Sequence, residues 1–61
     1  MKERCYYKVM TRKPETRLGY SDLEPGTLDE FIERLKEKFK EWTLIEITQD
    51  GDTIHFETFR K

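Results

Sequence analysis

Apolar residues in the middle of the chain recur with helical spacing. Leu28, Phe31, Ile32, Leu35 and Phe39 stand at i, i+3, i+4, i+7 and i+11, and Trp42 continues the series at i+14. That spacing places them on one stripe of a 3.6-residue helix and predicts a helix from Thr27 to Trp42. Pro25 and Gly26 oppose an earlier start. Thr27 with Glu30 has the form of a capping box. Asp29 and Glu30 near the start and Lys38 and Lys40 near the end suit the helix dipole. The charged back of this helix reads as a solvated face.

The flanking segments change period. Cys5 to Thr11 (CYYKVMT) is rich in aromatic and β-branched residues, with Cys5, Tyr7 and Val9 alternating with Tyr6, Lys8 and Met10. It reads as a strand. Pro14 marks a turn after it. Thr16 to Ser21 is a candidate second strand with Thr16, Leu18 and Tyr20 on one face, although Gly19 weakens it. Trp42 to Thr48 and Thr53 to Phe59 form the clearest strand pair. Asp50-Gly51 between them is the signal for a type I′ hairpin, in which both central residues take positive φ.

That turn sets an expected register. Ile47 should pair with Ile54, Glu46 with His55, Ile45 with Phe56, Leu44 with Glu57, Thr43 with Thr58 and Trp42 with Phe59. One face then carries Ile45, Ile47, Ile54 and Phe56, which should pack under the helix. The other carries Glu46, His55 and the cluster Trp42, Leu44 and Phe59. The predicted class is α+β. It is a two-layer β-β-α-β-β arrangement, with one helix packed on one face of a small, mostly antiparallel sheet. Residues 1–61 should form a single domain.

One helix covers one sheet face, so the opposite face is the candidate site. Trp42, Leu44 and Phe59, joined by Tyr6, Lys8 and Met10, would form an apolar patch of the kind that marks interaction surfaces. Trp42 is ambiguous. The helical stripe draws it into the core, whereas the hairpin register turns it outward. A curled N-terminal hairpin covering the patch is the competing structural explanation.

Composition narrows the function classes. The chain has 61 residues, 41% of them charged, with eight aromatics and a net charge of −1. A folded miniature with no global attraction to nucleic acid or anionic membrane fits these values. The charge is uneven. Lys2, Arg4, Lys8, Arg12, Lys13 and Arg17 outnumber Glu3 and Glu15 in the first twenty residues, and acids dominate the remainder. Tyr6, Lys8, Arg12, Lys13 and Arg17 thus offer an alternative site, in which rings stack on single-stranded nucleic acid and cations hold its phosphates. Protection of an edge strand by charge explains the same cations without a ligand.

Little else carries chemistry. Cys5 and His55 are the only thiol and imidazole, and a nucleophile–base pair needs both in hydrogen-bond reach. A buried structural Cys5 and a cross-strand His55–Glu46 pair explain them more simply. The Asp50-Gly51-Asp52 turn lacks the ligand series of a calcium loop. No catalytic, cofactor or metal site is expected. One cysteine excludes an internal disulfide. No segment reads as a signal peptide or membrane span, so a cytoplasmic location is expected. The functional expectation is a non-enzymatic protein-binding module, a regulator or inhibitor that binds a target protein or itself through the open sheet face. Single-stranded nucleic-acid binding through the N-terminal hairpin is the alternative.

Overall fold

The computed structural model describes residues 2–59. The elements follow in the order β1 (Glu3–Thr11), β2 (Thr16–Leu23), α1 (Leu28–Lys38), β3 (Trp42–Gln49) and β4 (Asp52–Thr58). They build one four-stranded sheet in the order β2-β1-β3-β4, with every neighbouring pair antiparallel. This is the two-layer α+β arrangement expected from the patterning. The second strand is real, and it extends beyond Ser21 to Leu23.

The core forms where α1 lies over the two central strands. Ile32 and Leu35 of the helix meet Cys5 and Val9 of β1 and Ile45 and Ile47 of β3, with Trp42 at one end. Val9, Ile45 and Ile47 are fully buried. A helix about 10 Å wide spans about two strands at 4.8 Å spacing. This explains why β1 and β3 supply the buried residues and the edge strands do not.

The helix is shorter at its C-terminal end than its stripe suggests. It ends at Lys38, with the Phe39 N–H donating to the Leu35 carbonyl at 2.8 Å. The chain then reverses through Lys40 and Glu41, and Trp42 opens β3. The capping box also fails to form. Glu24 to Thr27 make a tight turn with Pro25 second and Gly26 third, where φ is +86°. That is the arrangement of a type II turn. The Glu24 carbonyl accepts the Thr27 N–H at 3.2 Å and the Thr27 hydroxyl at 2.7 Å. The hydroxyl is therefore engaged as a donor behind the helix and does not cap it.

The expected hairpin register holds only beside the turn. Asp50 and Gly51 have φ of 52° and 83°, as a type I′ turn requires. Gln49 pairs with Asp52 and Thr48 with Thr53, but Ile47 then faces His55, Glu46 faces Phe56 and Ile45 faces Glu57. Ile54 is the extra residue of a β-bulge, and every later side chain of β4 changes face. Phe56, expected under the helix, turns to the open face, and Ile54 stays at the helix side near Cys5 and Leu28 but at the margin, 40% exposed, while His55 and Glu57 join it on that side.

A second bulge decides the position of Trp42. Met10 pairs with Leu44, and Thr11 pairs with Trp42, which leaves Thr43 as the extra residue of β3. Its hydroxyl donates to the Met10 carbonyl at 3.2 Å, and its carbonyl accepts the Phe59 N–H at 2.9 Å. The bulge rotates Trp42 onto the helix side, where it is 8% exposed. Lys36 lies 5.4 Å above its ring, and Phe59 meets its edge with centroids 5.4 Å apart. Trp42 is core, so its expected place on the open face is corrected.

Candidate functional site

The open face of the sheet is a grid set by strand register. Side chains alternate between faces along each strand, and partners across a ladder share a face. Lys8 pairs with Leu18 on β2 and with Glu46 on β3, and Glu46 pairs with Phe56 on β4. The row therefore reads Leu18, Lys8, Glu46, Phe56. The row on one side reads Thr16, Met10, Leu44, Thr58, and that on the other reads Tyr20, Tyr6, Thr48, Thr53. No element of residues 2–59 covers this face, since α1 lies on the other.

Its apolar content is large for so small a chain. Leu18 is 73% exposed, Phe56 59%, Tyr20 58% and Tyr6 50%. Tyr6 and Tyr20 pack with ring centroids 5.9 Å apart, and the Arg4 guanidinium lies 4.5 Å over the Tyr20 ring. Arg4 Nε also donates to Asp22 at 3.2 Å. One corner of the face is thereby held in place.

Four of the six residues expected at the patch are here: Tyr6, Lys8, Met10 and Leu44. Trp42 and Phe59 are not. They pack on each other at the helix side of the sheet, with Arg12 5.7 Å over the Phe59 ring. Leu18, Tyr20 and Phe56 belong to the face and were not expected there. Period-two alternation places Leu18 and Tyr20 together, and the pairing of β2 with β1 brings them beside Tyr6 and Lys8. Phe56 carries no such signal, because the Ile54 bulge reverses its direction.

The alternative nucleic-acid set is divided by the fold. Tyr6 and Lys8 lie on the open face. Arg17 lies in the same row as Val9 on the helix side and is tied to Glu15 at 2.9 Å. Lys13 and Arg17 line a hollow with Tyr7, Lys38 and Phe39, away from the open face.

Cys5 is buried and unpaired. Burial, reinforced by the charges of Glu3, Asp50 and Asp22, pushes its thiol above the ordinary value, which keeps the proton on sulfur. Its Sγ approaches the Glu3 carbonyl at 4.0 Å, whereas His55 Nε2 lies 3.1 Å from Glu57 Oε1. No hydrogen bond joins Cys5 to His55 among the described residues. The expected His55–Glu46 pair is replaced by His55–Glu57, because the bulge places Glu46 opposite Phe56. Among the described residues no group of three or more His, Cys, Asp or Glu is placed to hold a metal ion, and no helix is long and apolar enough to cross a membrane.

Glu57 is the electrostatic tie between helix and edge strand. Lys36 Nζ lies 2.9 Å from its Oε2. That hydrogen bond, opposed by burial and aided by His55, holds the carboxyl below its ordinary value near 4.5. A depressed folded-state value contributes stability above the unfolded value and loses it as pH falls through the folded one. Glu57→Gln should therefore melt below wild type at pH 7, and the gap should close on acidification below about 4.5. Thermal melts of both proteins across that range measure it. A gap that persists unchanged into acid would refute the pairing as its source.

No protein-family model matches this chain, and no curated protein or solved structure matches it either.

Proposed function

We propose that this chain is a non-enzymatic protein-binding module that docks a protein surface on the open face of its sheet. The observation that carries the reading is the grid itself: exposed Leu18, Tyr20, Tyr6 and Phe56 spread across three strands with no cover from α1. Exposed apolar side chains on both flanks of a central Lys8–Glu46 pair, on a face with no cover, fit an interaction site. Aromatic rings held by neighbours suit anchor positions, because little side-chain freedom is lost on binding. A small module of this kind acts as a regulator or inhibitor by covering a surface that its target needs. A reducing, cytoplasmic setting accords with the unpaired Cys5.

The test compares wild type with Leu18→Glu/Phe56→Glu. Both side chains are exposed, so the variant should fold as wild type does by circular dichroism. Its association with protein, whether a second copy or another chain, should weaken by about tenfold or more, since anchor residues are commonly each worth over about 1 kcal/mol. Nuclease-treated samples should behave the same. Unchanged association in the variant would refute the reading. So would association that vanishes with nuclease and falls steeply with salt, the signature of phosphate contacts.

A further inference from the structure

We infer that the occupant of the open face is a second copy of this chain, docked about a twofold axis that runs nearly parallel to the strands, midway between β1 and β3. The inference rests on the docking reading above and names its partner.

The open face is self-complementary. A twofold interface must match each of its residues against the image of another. Rotation about the stated axis lays β1 of one copy over β3 of the other and β2 over β4, row on row. The central row, Leu18–Lys8–Glu46–Phe56, then meets its own reverse. Lys8 faces Glu46 of the second copy, and Leu18 faces Phe56. In the next row Met10 faces Leu44, and Thr16 faces Thr58. In the third, the rings of Tyr6 and Tyr20 meet Thr48 and Thr53. Apolar meets apolar, positive meets negative, and hydroxyl meets hydroxyl or ring.

The charges also select this axis over its rival. A twofold axis perpendicular to the strands through the central row would stack Lys8 on Lys8 and Glu46 on Glu46. Like charges facing each other across an interface are strongly disfavoured. Among the described residues Lys8 has no ion-pair partner, and Glu46 makes only a 3.4 Å contact with the Thr53 hydroxyl. Both are thus available to a second copy. In the pair, two lysines and two carboxylates alternate at the centre, so each cation keeps its own cross-strand Glu46 beside it and gains that of the second copy, as a desolvated charge requires. A net charge of −1 per copy adds little repulsion.

The size fits a weak, reversible dimer. Four strands spaced about 4.8 Å apart and about seven residues long at about 3.3 Å each present a face of roughly 440 Å². Two such faces give a total of roughly 900 Å², below the about 1,200 Å² of stable interfaces and in the range of weak, transient ones. Sheets packed face to face lie about 10 Å apart and are rotated by about 30°, so the axis is inclined by about 15° to the strands, which shifts the outer rows more than the central one.

The experiment is a charge exchange read by sedimentation equilibrium. Wild type should dimerise reversibly. Lys8→Glu alone and Glu46→Lys alone should each weaken dimerisation by about tenfold or more. An equimolar mixture of those two variants should form a heterodimer, because each copy then presents the charge that the other lacks. The double variant Lys8→Glu/Glu46→Lys should dimerise as wild type does. That double variant and the mixture also guard against folding defects in the single variants. Wild type that stays monomeric at millimolar concentration overturns the inference, as does a failure of the mixed variants to associate. If wild type is monomeric yet Leu18→Glu/Phe56→Glu abolishes capture of a different protein, the docking reading stands and only self-association falls.

Discussion

Trp42→Ala should unfold the domain or come close to it, at a cost of about 3–5 kcal/mol. Trp42 is 8% exposed and belongs to one core cluster with Leu35 and Ile45. Its removal leaves a cavity that the Thr43 bulge cannot collapse, because both hydrogen bonds of Thr43 hold the backbone there. It also strips Lys36 and Phe59 of the ring they pack on. Small domains have little stability in reserve, so the loss is a large share of the total. Phe56→Ala is the matched control. Phe56 is 59% exposed on the open face, and its truncation should change stability by within about 0.5 kcal/mol at concentrations where the chain is monomeric. Urea denaturation of the two variants beside wild type measures both. A stable, cooperatively folded Trp42→Ala would mean that Trp42 turns outward as the unbulged register requires.

Gly19→Ala should be the next most damaging change, at about 1–3 kcal/mol. Gly19 lies directly opposite Tyr7 in the β1–β2 ladder. A methyl group built there would overlap the Tyr7 ring and hydroxyl. Tyr7 cannot easily swing away, because its ring packs edge-on against Phe31 of α1 with centroids 5.9 Å apart. The glycine thus makes room for an aromatic side chain that links the edge strand to the helix. The cost should be coupled. In a Tyr7→Val background the ring is gone, and Gly19→Ala should become nearly neutral or stabilising, since alanine suits a strand better than glycine. Thermal or urea midpoints of the four proteins complete the cycle. Additive effects would show that Tyr7 is not the obstacle.

Gly19 also shows how local reading misleads. In sequence it weakens the case for a strand. In the fold it is the reason that β2 can lie against β1 with Tyr7 on the helix side. The strand itself was visible in the alternation of Thr16, Leu18 and Tyr20, which do share the open face. Much of the grid was legible in this way. Tyr6, Lys8 and Met10 follow from period-two alternation in β1, and Leu44 from that in β3. Ile32, Leu35, Ile45 and Ile47 were legible as core from spacing alone.

The misplaced residues all trace to two bulges and one chain reversal. The Ile54 bulge leaves Ile54 at the helix side beside Leu28, turns Phe56 outward and brings His55 and Glu57 to the helix side. At the margin of α1 a polar pair that reaches Lys36 is better placed than the Phe56 ring. The Thr43 bulge carries Trp42 inward. A bulge is one extra residue in a ladder, and no residue type announces it. It depends on which side chains the opposing layer can accept. The helix end misleads for a related reason. Phe39 and Trp42 continue the stripe because both contact the core, but Trp42 does so from the start of β3.

The sequence by itself determined the element order, the type I′ turn at Asp50-Gly51, the helix from Leu28 and the residues at its centre of packing. Those features rest on local periodicity and on backbone preferences, which a short segment carries with it. The tertiary structure alone decided where the helix stops, which way Trp42 and Phe56 point, and that Leu18, Lys8, Glu46 and Phe56 stand in one row. Each of these depends on the registers of β1, β3 and β4, and register is settled only when a helix about 10 Å wide must cover two strands and leave the other face bare.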